Sequence, residues 1–113
     1  LKLRFFIDYR YDEAFKYFRP IGVWMHNPAD GDVDIYYEDP ECPESDEANW
    51  ILNRLVEGGL KTPDDFLDYH QQRAGYRGMR GPVREIETDL NYNQFGRAVL
   101  QNAIEREGNA ASN

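Results

Sequence analysis

Cysteine is nearly absent from this chain. Cys42 stands alone among 113 residues, which excludes an internal disulfide and leaves no second thiol to share a zinc ion. Histidine is almost as scarce, with only His26 and His70. No stretch approaches the roughly 18 apolar residues of a membrane helix. No basic-then-apolar start resembles a secretory signal. Lysine and arginine are missing from Pro20 to Asn53, where nine acids fall, so this segment carries −9 and the rest of the chain +1. These absences lead us to expect a cytoplasmic protein that uses no cofactor and no membrane. A first residue of Leu1 instead of Met reads as a trimmed chain.

Aromatic residues, by contrast, are plentiful. Eight Tyr, six Phe and two Trp, with 41% hydrophobic content, suffice for one core in a chain of this length. We expect one domain over residues 1–108 and a frayed tail over 109–113.

Periodicity gives the elements. In "LKLRFFIDYRY", Leu3, Phe5, Ile7 and Tyr9 alternate with charged residues, the mark of a strand with one buried face, and only Phe6 breaks the polar side. "DEAFKYF" reads as a short helix closed by Pro20. "IGVWMH" and "VDIYY" read as strands of a hairpin joined by "NPADGD", whose Asp-Gly is a strong turn signal. A helix follows, capped by Ser45 or Asp46 and ended by Gly58-Gly59. A second begins at Thr62 with Pro63 in its first turn. "VREIETDL" reads as a marginal strand, and Asn93 as the cap of a last helix in which Gly96 costs about 1 kcal/mol relative to Ala. The order predicts an α+β fold: an antiparallel sheet of about four strands, with two or three helices packed on one face. A meander suits the short connections better than a ferredoxin-like arrangement, because a parallel crossover needs a longer link.

No catalytic signature is present. The chain has no G-x-S-x-G, no H-E-x-x-H and no Walker loop. Asp30, Asp32, Asp34 and Glu41 have EF-hand spacing, but Ile35 stands where that loop needs glycine. Cys42 lies between acids that raise a thiol's pKa and is a poor nucleophile. The reading therefore leans away from an enzyme. The small metal-assisted hydrolase that Asp30, Asp32 and His26 would support ranks last.

Two charged features remain. The acids Asp30, Asp32, Asp34, Glu38 and Asp39 form a lobe suited to a basic partner, either another protein or a second copy of this chain. The leading expectation is thus a non-catalytic interaction module. Opposite in sign is "QRAGYRGMRGPVRE", which holds Arg73, Arg77, Arg80 and Arg84 among glycines, with Tyr76 available to stack on a base. Guanidinium forks match phosphate, so nucleic-acid or phosphate binding by Arg73, Tyr76, Arg77, Arg80 and Arg84 is the alternative. The same loop would equally serve to pair with the protein's own carboxylates.

Overall fold

A computed structural model describes residues 1–58 and 78–111. The elements are β1 (Lys2–Asp12), β2 (Tyr17–His26), β3 (Val33–Tyr37), α1 (Pro43–Gly58), β4 (Gly78–Arg80), β5 (Arg84–Glu87) and α2 (Tyr92–Ala111). The fold is α+β with a fully antiparallel sheet in the order β3-β2-β1-β4, and β5 pairs with β1 beside β4. The first three strands form a meander. The helix expected from Thr62 to Gly75 lies outside the described residues.

β4 and β5 act as two halves of one edge strand. Arg80 lies opposite Asp8, whereas Arg84 lies opposite Phe5. The residues between them, Gly81 to Val83, bulge away from the pairing line. Gly81 N–H still reaches the Ile7 carbonyl at 2.8 Å, while Pro82 has no N–H to offer. The stretch expected to be a loop thus supplies sheet at both of its described ends.

The expected short helix after β1 is a turn. Asp12 accepts backbone N–H bonds from Ala14 (2.9 Å) and Phe15 (3.3 Å) on its side chain, and one from Lys16 (2.7 Å) on its carbonyl. A side chain that takes the local donors in this way competes with a helix. Lys16 adopts a left-handed φ of 56°, and Tyr17 and Phe18 then enter β2. Pro20 sits in β2 at an irregularity opposite Asp8 and Tyr9, where a missing donor is tolerated.

Register decides where the core lies. Phe5 and Ile7 pair with Met25 and Val23, so these four side chains share one face. Ile35 and Tyr37 pair with Trp24 and Gly22, on the opposite face. Each face is covered. On the first, Leu3, Phe5, Val23 and Met25 pack against Phe95 and Leu100 of α2. On the second, Phe6, Trp24 and Tyr37 pack against Ala48, Ile51 and Leu55 of α1. The helices therefore lie on opposite faces, which corrects the expectation that they share one. Phe6, the apparent defect in a polar face, anchors the second core and stacks on Trp24 at 5.7 Å.

Two helix starts also move. α1 begins at Pro43, with the Cys42 carbonyl accepting from Ser45 and Asp46 N–H at 3.1 and 3.3 Å. Pro43 serves as a first-turn residue, not as a loop breaker. At α2 the cap is Asn91, not Asn93. Asn91 Oδ1 accepts from Gln94 N–H at 2.8 Å while Gln94 Oε1 accepts from Asn91 N–H at 3.2 Å, a reciprocal capping box. The helix runs on to Ala111, three residues beyond Gly108.

Candidate functional site

The acidic residues gather around β3. Asp30 and Asp32 sit in the turn before it, Asp34 lies within it, and Glu38 and Asp39 follow it. The turn is well tied: Asn27 N–H donates to the Asp32 carbonyl, Gly31 N–H to the Asn27 carbonyl, and Asp32 N–H to Asp30 Oδ1, each at 2.8 Å. Gly31 takes φ 77°, as such a turn requires. Asp30 and Asp32 also face Tyr92 at the start of α2. Burial, then the charges of Asp32 and Asp30, push the Tyr92 phenol up to about 12 against a smaller opposing effect of Asn27.

Beyond β3 no further strand lies among the described residues. The bonds from Asn27 N–H to Asp32 and from Glu38 N–H to the Ile21 carbonyl fix the phase of the β2–β3 ladder. Alternation then turns the backbone groups of Asp34 and Tyr36 toward β2, and those of Val33, Ile35 and Tyr37 outward. The Ile35 N–H meets Asp34 Oδ1 at 2.8 Å, so one outward donor is covered by an acid of its own strand. A groove of about 420 Å³ runs along this edge, lined among others by Asp34, Ile35, Tyr37, Glu38, Asn49 of α1 and Asn93 of α2.

The arginine segment divides. Arg73, Tyr76 and Arg77 lie outside the described residues. Arg80 stands on β4 directly opposite Asp8, and paired residues of an antiparallel ladder share a face. Arg84 stands on β5 opposite Phe5, on the other face of the sheet. There it lines a small pocket with Arg106 of α2, a residue 22 positions away that no periodicity places beside it.

Beneath α1 lies a buried polar chain that the periodicity of β1 hid. Trp24 Nε1–H donates to Tyr37 Oη at 2.9 Å, and Tyr37 Oη–H donates to Asp8 Oδ2 at 2.7 Å. Asp8 is fully buried. Gly22 makes room for this chain, since a Cβ there would fall 2.4 Å from the Tyr37 ring. Nearby, Arg10 donates from Nε and Nη2 to the two carboxylate oxygens of Glu44 and draws that carboxyl below the ordinary range. Burial raises the Cys42 thiol, Glu44 adds to the effect, and a backbone bond from Ser45 and the charge of Arg10 oppose it, so the thiol is a weak nucleophile.

His26 is buried at the end of β2, opposite Val33 and on the face that carries Trp24. Among the described residues no three His, Cys, Asp or Glu side chains are grouped to hold a metal ion. His70 lies outside the described residues. No helix among the described residues is long and apolar enough to cross a membrane. The chain matches no protein family, no curated protein and no solved structure.

Proposed function

We propose that this protein is a non-catalytic interaction module that receives an extended, basic segment of another protein along the β3 edge. The observation that carries this reading is the coincidence of the acids with the outer strand: Asp30, Asp32, Asp34, Glu38 and Asp39 flank outward-facing backbone groups and a groove between two helices. A strand added there takes its affinity from main-chain bonds and its selectivity from the side-chain surroundings. Basic side chains on the incoming strand complement the carboxylates, and an arginine or lysine that draws Asp34 away frees the Ile35 N–H for a main-chain bond. Pairing of two β3 strands from two copies would set acid against acid, which disfavours that route to a dimer.

The test is a titration with a lysine–valine alternating octapeptide, followed by amide NMR. The expected result is shifts and slowed exchange at Val33, Ile35 and Tyr37, with affinity that falls on Asp34→Asn and Glu38→Gln. Binding that survives both substitutions would refute the role of the acids. Equal binding by a peptide N-methylated at alternate residues would refute strand addition while leaving the charge pairing in place.

A further inference from the structure

We propose that Arg84 and Arg106 form an oxyanion site for the phosphate of a nucleotide, separate from the β3 edge and on the far side of the sheet. The pocket lies where β1, the Gly81–Pro82 break and α2 meet. Its walls are Phe5, Ile7, Tyr9, Gly81, Pro82 and the two arginines. In a chain of net charge −8, a pocket lined by two arginines and no acid stands out.

The register explains the missing acids. Arg84 shares a face with Phe5, whereas its neighbour Glu85 pairs with Arg4 on the opposite face and holds Lys2 Nζ at 3.5 Å there. Neither Arg84 nor Arg106 has an ion-pair partner among the described residues, while Arg10, Arg19 and Arg54 have Glu44, Asp12 and Glu57. Both side chains are exposed and free to close on a ligand. Guanidinium forks beside an aromatic floor suit a ligand with an anionic head and a flat, weakly polar body.

Size narrows the class. The pocket is small and open, about 30 Å³, so it seats one group and leaves the rest of the ligand outside. Tyr9 and Pro82 offer that remainder a surface to stack on. Gly81 keeps the approach open: a Cβ there would press on the Tyr9 ring at 3.3 Å. A phosphate held by the two arginines, with its base over Tyr9, fits these limits. The phosphate of a free nucleotide and that of a single strand present the same chemistry to the arginines.

The experiment is an amide NMR titration of the full chain at low salt with adenosine monophosphate, then with a short oligothymidylate, then with a capped aspartate–phenylalanine peptide. The expected result is shifts at Ile7, Gly81 and Arg84, with affinity reduced about tenfold by Arg84→Gln and again by Arg106→Gln. Comparable affinity for the monophosphate and the oligomer assigns a free nucleotide. Much tighter oligomer binding, with a steeper salt dependence, assigns a single strand. No shift at millimolar nucleotide, shifts unaffected by both substitutions, or tighter binding of the acidic peptide would overturn the proposal. Because both arginines are exposed, the variants should keep the wild-type spectrum elsewhere.

Discussion

Replacing Gly96 with alanine sets two physical rules against each other. Within a helix, Gly→Ala stabilises by about 1 kcal/mol through backbone entropy alone. Gly96 is buried in the first turns of α2, however, where the helix crosses β2 and β3. A methyl there would stand 2.6 Å from Tyr36 Cβ and 3.1 Å from Met25 Cε. Met25 has a flexible end and can give way, but Tyr36 Cβ is fixed to the strand. The helix must lift or the strand must bend, and overpacking of that kind costs about 1–3 kcal/mol. The contact at Tyr36 is short enough to favour the upper half of that range. The net expectation is a loss of about 1–2 kcal/mol, read as a lower urea midpoint by far-UV circular dichroism at unchanged slope. Ala98→Gly, on the exposed side of the same helix, is the control for propensity and should cost about 1 kcal/mol. If Gly96→Ala raised the midpoint while Ala98→Gly lowered it, α2 would not approach the sheet this closely, and the packing of that face would be wrong.

Other expectations follow from the buried polar chain and the titrating groups. Tyr37→Phe removes the bond to the Asp8 carboxylate and the one from Trp24, so it should lower stability by about 2–4 kcal/mol in urea unfolding, and wild-type stability would refute the chain. Tyr92 should ionise near 12, seen as a late step in ultraviolet titration that moves down on Asp32→Asn. Because its folded value is raised, its contribution is complete below the ordinary tyrosine value of 10 and fades as the pH climbs toward 12. Glu44 has the opposite sign: its folded value is depressed by Arg10, so its contribution is complete above the ordinary 4.5 and drains away as the pH falls below it. With Arg10 half exposed, that contribution is below about 1 kcal/mol, and Glu44→Gln should flatten the acid limb of the stability curve by no more than this.

Much of the fold was legible in the residues. Leu3, Phe5 and Ile7 announce β1, the Asp-Gly turn announces the β2–β3 hairpin, and both described helices fall where their apolar spacing puts them. What failed was local chemistry read too coarsely, and register. Pro43 resembles a breaker until it is placed in a first turn. Asn91 and Gln94 carry the capping-box spacing in plain view, yet Asn93 attracts attention because it is nearer the apolar run. Asp12 converts a helical-looking heptapeptide into a turn by taking its donors. Register is the deeper gap, because alternation shows that Val33, Ile35 and Tyr37 share a face without showing which face. Only pairing with Trp24 and Gly22 puts them opposite Phe5 and Ile7. The acidic lobe was visible as composition, but the meeting of Arg84 with Arg106 depends on that same register and on the path of α2, neither of which a single sequence displays.

Covering the sheet on both faces restricts where this protein has room to bind anything. The α1 face is closed by Ile51, Leu55 and the Trp24–Tyr37–Asp8 chain, and the centre of the α2 face by Phe95 and Leu100. From Lys2 to Arg10 the outer side of β1 is taken by β4 and β5 except at the break between them. Two of the places that remain among the described residues are the outward line of β3 and the notch at Gly81–Pro82 where the edge strand is interrupted. They carry opposite charge, acids along the first and arginines at the second. Two ligands of opposite sign therefore need not compete. Saturating one site with the basic peptide should leave nucleotide affinity at the other unchanged within a factor of about two, since exposed charges more than a Debye length of about 10 Å apart are largely screened near 0.1 M salt. Strong mutual exclusion at that salt would mean that both ligands share one surface, and that the division of charge across the sheet is not what this molecule uses.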